Sequence, residues 1–246
     1  MSKRLDDLNL NGLKVYQETE YFCFGIDSVL LANFVNSNSS KNNIVDLCSG
    51  SGVIPVIMSA KKKYNKIIGV ELQKEMFELL KENIEINKLD EKIIGINEDI
   101  KNIDNIKEEL MQNIGCNKVD IATCNPPYKK QGTGTENEND VKYIARHEVK
   151  CNIEDIFKTT ANILKSKGKL YIVHKPDRLV DLFEIARKYK LEPKTVRFVH
   201  PTSIKAPSIV LIEYIKDGGN ELKILDPLIE YNEDGSYTDE IYDIYS

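Results

Sequence analysis

The sequence predicts an α/β fold: a seven-stranded, mostly parallel sheet covered by helices and finished by a C-terminal antiparallel hairpin. Three observations carry this reading. Short β-branched apolar runs recur along the chain, amphipathic stretches of helix length separate them, and several runs end in glycine or an acidic residue. Strands covered on both faces are apolar almost throughout, which is how these runs read.

The elements follow in order. The Asn/Ser-rich residues 36–43 read as a loop. Residues 43–48 form the first strand of the predicted sheet, ending in Ser49-Gly50-Ser51-Gly52, and residues 53–63 a helix. Residues 66–71 are the second strand. Residues 73–87 place Met76, Leu79, Leu80, Asn83 and Ile84 at helical spacing, residues 92–97 are the third strand and residues 118–123 the fourth. After a polar loop at 129–140, residues 152–165 are helical, with Asn152 as N-cap and Gly168 as stop. Residues 170–174 are the fifth strand and 177–190 a helix, while 192–199 and 208–215 are close enough to pair as the hairpin. The expected organisation is an N-terminal segment (1–40), the α/β domain (41–216) and an acidic tail (217–246) packed on the sheet edge.

Composition agrees with a folded α/β chain. The 246 residues are 41% hydrophobic and 30% charged, which excludes collagen-like and disordered classes. No run approaches the roughly 20 apolar residues of a membrane helix, and the start lacks the apolar core of a secretory signal, so a cytoplasmic protein is expected. Five cysteines without a C-x-x-C pair argue against a disulfide framework or zinc ribbon. The net charge of −5 is a local matter. Residues 217–246 hold nine acids and a single lysine, leaving 33 bases and 30 acids in residues 1–216, so nucleic acid is neither implied nor excluded.

In such sheets ligands sit beyond the carboxyl ends of the strands, near the switch in strand order. The first strand ends at Asp46-Leu47-Cys48, followed by Gly50 and Gly52, whose bare backbone admits a ligand closely. Glu71, about 20 residues downstream, suits a ribose diol. At the third tip Asp99 can accept from an adenine amino group and Ile100 can pack on its ring. The spacing lacks the third glycine of a dinucleotide fingerprint, which favours a nucleoside cofactor without phosphates. The fourth tip reads Asn125-Pro126-Pro127-Tyr128. An adenine amine is a poor nucleophile, and the Asn125 side-chain oxygen and Pro126 carbonyl can each accept one of its N–H groups. The prolines fix φ, and Tyr128 offers a stacking face.

This tetrapeptide resembles motif IV of the class I S-adenosylmethionine-dependent methyltransferases, whose fold is Rossmann-like. The segment from Gln17 through Asp27 to Ala32 resembles the part that closes over the cofactor in one branch of these enzymes. With Ala145-Arg146-His147-Glu148, Arg197-Phe198-Val199-His200-Pro201 and Asp226-Pro227-Leu228-Ile229, the chain resembles the bacterial tRNA adenine N6-methyltransferases that act on adenosine 37 of valine tRNA. The resemblance implies S-adenosyl-L-methionine as cofactor and a tRNA, or another structured RNA, as partner. It places Gln17, Asp27, Asp46, Cys48, Gly50, Gly52, Glu71, Leu72, Asp99, Ile100 and Asn125 around the cofactor. Asn125, Pro126, Pro127 and Tyr128 hold the target amine. One departure is Cys48, where the family pattern has its first glycine.

Several residues have plainer readings. His147 and Cys151 are spaced i, i+4, yet two ligands do not make a metal site, and no metal is expected. Cys124 reads as a buried strand cysteine, His174 as a core or rim histidine, and Lys61-Lys62-Lys63 as a solvated helix end. Lys129, Lys130, Arg146, His147, Arg197, His200 and Lys205 are the candidate RNA contacts. A monomer is expected, with a dimer the alternative. Two other acceptors compete with adenine: glutamine N5 in a release factor and guanine N2 in ribosomal RNA. The release-factor enzymes carry a helical domain before the first motif, where only about 40 residues precede Asp46. A non-catalytic binding module is the third reading.

Overall fold

The computed structural model describes residues 3–18, 24–126 and 152–245. The order along the chain is β1 (Lys3–Asp7), β2 (Lys14–Glu18), α1 (Ile26–Phe34), β3 (Asn43–Leu47), α2 (Val53–Lys61), β4 (Lys66–Glu71), α3 (Lys74–Ile86), β5 (Ile93–Asn97), α4 (Ile103–Ile114) and β6 (Val119–Cys124). It continues with α5 (Ile153–Ile163), β7 (Leu164–His174), α6 (Leu179–Lys188), β8 (Leu191–His200), β9 (Ile209–Lys216), β10 (Lys223–Ile224), β11 (Leu228–Ile229) and α7 (Asp239–Tyr245). β1 and β2 form an antiparallel hairpin. The main sheet runs β10-β8-β9-β7-β6-β3-β4-β5, with β11 also on β8. Only β9 is antiparallel to its neighbours, so the expected terminal hairpin is β8–β9. The seven expected strands are β3 to β9, and two-residue strands from the tail extend the sheet to nine, in parallel with β8.

The two-residue period of the strands divides the core. Ile44, Ile67, Ile93, Ile121 and Tyr171 face α1, α2 and α3 in one cluster, which also takes in Ile241 of α7. Val45, Leu47, Ile68, Val70 and Ala122 face α4, α5 and α6 in the other. Strand order reverses at β3, whose neighbours are β4 and β6, and this switch point is where the glycine-bearing turn emerges.

Several local expectations change. Gly168 is no helix stop. α5 ends at Ile163, and the chain passes directly into β7 through an irregular pairing with β6. A Cβ at Gly168 would lie 2.8 Å from the Lys165 carbonyl oxygen, so glycine serves the bulge there. Asn152 does cap α5, in a reciprocal box with Asp155. Of the lysine run, Lys63 is exposed as expected, but Lys61 and Lys62 are not solvated ends. Lys61 Nζ donates to the Ile244 carbonyl at 2.5 Å and Lys62 Nζ to the Asn33 carbonyl at 2.7 Å, tying α2 to α7 and α1. Burial holds both amines below the usual lysine range.

Candidate functional site

The tips of β3, β4, β5 and β6 lie side by side. Asp46 of β3 is register partner to Thr123 of β6, and Leu47 to Cys124, so the turn after β3 stands directly beside Asn125 and Pro126. The Asp46 carboxyl is wholly buried. It accepts from Thr123 Oγ1 at 2.5 Å and Ser49 Oγ at 2.7 Å. Burial pushes its pKa up to about 7, the two hydroxyls pull it back, and the neighbouring Glu71 charge adds to the rise. Asp46 is thus the internal post of the turn rather than a group presented to solvent.

The turn uses left-handed backbone three times, at Cys48 (φ 57°), Gly50 (φ 56°) and Gly52 (φ 81°). The two glycines accept this freely, whereas Cys48 does so against its Cβ. Gly52 has a second reason to be glycine: a Cβ there would lie 2.2 Å from Leu80 Cδ1 of α3. Gly50 is different, since its built Cβ meets nothing nearer than Met76 Cε at 3.9 Å. From α3, Asn83 clamps the turn: its Nδ2 donates to the Ser51 carbonyl at 2.9 Å and its amide pairs with the Tyr16 backbone of β2.

Glu71, also buried, receives the Gly50 amide on Oε2 and the Gln73 amide on Oε1, both at 2.8 Å. Asn97 Nδ2 donates to the Glu71 and Leu72 carbonyls at 2.8 and 3.0 Å, locking the β4 tip against β5. Asp99 is a quarter exposed, with its Oδ1 accepting the Lys101 amide at 2.9 Å. Ile100 is buried in the core cluster under α4 and α5, and its carbonyl accepts Thr159 Oγ1 at 2.7 Å. At the β6 tip, Asn125 Nδ2 donates to Ser28 Oγ of α1 at 3.0 Å.

The chemistry these tips suit is capture of a nucleoside-bearing ligand across β3, β4 and β5, next to two acceptors on β6. Residues 21–184 match the methyltransferase small domain family. The chain belongs to that family. A tRNA1(Val) (adenine(37)-N6)-methyltransferase of Porphyromonas gingivalis is 25% identical over 193 residues, covering 77% of this chain and 73% of the relative. A putative protein N5-glutamine methyltransferase of Methanocaldococcus jannaschii is 28% identical over 121 residues, covering 49% and 54%. Among solved structures, a predicted O-methyltransferase of Agrobacterium tumefaciens superposes with a TM-score of 0.69 at 18% identity, covering 89% of this chain and 95% of that one. The fold is therefore the Rossmann-like one of these methyltransferases.

The methyl donor of this methyltransferase is S-adenosyl-L-methionine, and the residues present fit it. The cradle at Gly50 is open, since a Cβ there meets nothing nearer than 3.9 Å, Glu71 sets a carboxylate of the kind that suits a ribose diol at the next strand tip, and Asp99 offers a partly exposed carboxylate one strand further on. When bound, the donor supplies an electrophilic methyl group.

The remaining expected site residues distribute unevenly. Gln17 is buried with both ends of its amide committed: Nε2 donates to Asp6, and Oε1 accepts the Phe24 amide at 2.8 Å. It braces the entry into α1. Asp27 stands near Glu230 of the tail, whose carboxyl is raised by burial and then by the Asp27 charge. Arg197 is held by the tail. Its Nη2 pairs with Glu240 at 2.7 Å and its Nε donates to the Asp226 carbonyl at 3.0 Å, so it fastens the tail to β8. His200 Nδ1 lies 2.7 Å from the Lys205 carbonyl, and the Lys205 residue is exposed. His174 is buried and its pKa falls to about 4, chiefly through burial, so it is neutral at pH 7. Pro127, Tyr128, Lys129, Lys130, Arg146, His147 and Cys151 lie outside the described residues. Among those described, no three His, Cys, Asp or Glu side chains gather as a metal site, and no helix is long and apolar enough to cross a membrane.

Four contributors escape the strand-tip reading: Ser28, Ser49, Thr123 and Asn83. Asn83 did carry a signal, as a polar residue in an otherwise apolar helical stripe. Ser28 lies inside the Gln17–Ala32 segment that the resemblance marked, but its contact with Asn125, 97 positions away, left no signal of its own.

Proposed function

We propose that this methyltransferase modifies the N6 amine of adenosine 37 in tRNA1(Val). The single observation that carries the amine chemistry is the register of β3 and β6, which seats Asn125 and Pro126 directly beside the Cys48–Gly52 turn. An exocyclic amine resists alkylation because its lone pair is delocalised into the ring. Asn125 Oδ1 and the Pro126 carbonyl act by accepting its two N–H groups, which turns the lone pair out of the ring plane and toward the donor side. Positioning supplies most of the rate gain, and no strong base is required because the methylated ammonium sheds its proton readily. Adenine is favoured as acceptor by the Porphyromonas relative, whose match spans 77% of this chain.

A second reading, glutamine N5 of a protein, is supported by the Methanocaldococcus relative over 49% of the chain, since an amide nitrogen fits the same acceptors. The test is incubation with labelled S-adenosyl-L-methionine and total RNA from a strain lacking the gene, with release factor in a parallel reaction. Label is expected in N6-methyladenosine of valine tRNA. Label in glutamine, in guanine N2, or nowhere refutes the assignment.

A further inference from the structure

We propose that Ser28 is a positioning residue for methyl transfer, holding the Asn125 amide so that its carbonyl end meets the acceptor amine. An asparagine amide presents nearly the same shape with either end forward. Turned the wrong way it would set two N–H donors against the N–H groups of the target, and the tip would repel the group it has to hold. A local contact has to hold the amide in one pose, and a serine hydroxyl, which can donate as well as accept, does so through the pairing that the structure shows. Asn125 Nδ2 donates to Ser28 Oγ at 3.0 Å, and this bond spends the donor end on the protein. Oδ1, by contrast, has no partner among the described residues.

Ser28 is suited to the task because it cannot drift. It is 6% exposed and lies in the first turn of α1, its amide donating to the Gly25 carbonyl at 3.2 Å. Leu30, Leu31 and Ala32 bury the helix against the sheet. At its far end, Lys62 Nζ holds the Asn33 carbonyl and the Phe34 ring meets Tyr171 of β7 edge-on at 5.8 Å. A hydroxyl on so firmly packed a helix gives the amide a fixed partner.

The proposal rests on the reading of Asn125 as the amine acceptor, and the experiment separates the two. Turnover on tRNA, affinity for S-adenosylhomocysteine by calorimetry, and the Asn125 side-chain 15N resonance are measured for wild type, Ser28→Ala, Ser28→Thr and Asn125→Ala. Loss of one orienting hydrogen bond predicts a fall in kcat of about 10- to 100-fold in Ser28→Ala. Cofactor affinity should stay within about threefold, the Asn125 resonance should move, and Ser28→Thr, which keeps the hydroxyl, should recover both rate and resonance. Ser28→Ala at wild-type kcat, an unmoved resonance, equal losses of rate and cofactor affinity, or Ser28→Thr as slow as Ser28→Ala would each overturn the role of Ser28. An active Asn125→Ala would instead overturn the amine-acceptor reading itself.

Discussion

Gly52 offers the sharpest test of how the cofactor turn is built. Alanine there must keep φ at 81° while its methyl occupies a point 2.2 Å from Leu80 Cδ1. Left-handed backbone costs about 1–2 kcal/mol for a residue with a Cβ, and forcing a methyl into a packed core adds about 1–3 kcal/mol. Gly52→Ala should then lose about 2–5 kcal/mol, read as a lower urea midpoint at unchanged slope. Leu80 is fully buried, so Leu80→Ala alone should also cost about 2–5 kcal/mol. The double variant should be more stable than the sum of the two losses by about 1–3 kcal/mol, because the new methyl moves into space that the leucine vacates. Cofactor affinity should drop in Gly52→Ala and return partly in the double variant, since the same turn carries the Gly50 amide. A loss under about 1 kcal/mol in Gly52→Ala, or strictly additive costs, would refute this account of the turn.

Three further outcomes follow from the same geometry. Because the Asp46 pKa rises to about 7 in the fold, the native protein holds a proton that the unfolded chain releases near pH 4. This group's stabilising share is therefore complete below that pH and fades as pH climbs through 7, by up to roughly 4 kcal/mol. Asp46→Asn should escape that decline, so urea curves at pH 5 and pH 8 should diverge between variant and wild type; parallel curves would contradict it. Cys48→Gly relieves left-handed strain at some cost in unfolded-chain entropy, so stability should stay level or rise by about 1 kcal/mol, and a clear loss on thermal melting would show that the thiol contributes packing. Arg197→Ala should destabilise the protein by about 1–3 kcal/mol through its carboxylate and carbonyl partners, while the salt dependence of tRNA binding stays as it was. A salt slope shallower by about one would mean that Arg197 meets a phosphate after all.

The strand tips were legible because parallel strands buried on both faces must be apolar throughout, and the residues that interrupt them, Asp46, Glu71 and Asn125, then stand out. Elements whose stability comes from distant partners were not. β1 is charged and mostly exposed, and it exists because β2 pairs with it. α4 buries only Ile106 and Leu110, too few to announce a helix, although Asn102 and Gly115 bracket it. The tail has no internal periodicity, since its order comes from β8, from Arg197 and from Lys61. At the site, the groups proposed to face the ligand could be anticipated from residue type, whereas those that brace them could not. Ser28, Thr123 and Ser49 are ordinary hydroxyl residues until the fold opposes them to Asn125 and Asp46. Gln17 shows the reverse, a polar residue near the site whose hydrogen-bonding capacity is spent on the scaffold.

The reversed direction of β9 has a consequence for how such an enzyme changes its targets. Because that strand begins where β7 and β8 end, residues 201–208 are delivered to the rim that carries Asn125, and Ile204 stands there almost wholly in solvent, at 92% exposure. Lengthening or rewriting this connection would remodel what the rim can grip without disturbing the donor pocket three strands away. Altered target choice can then arise by insertion at one place, with the chemistry inherited intact.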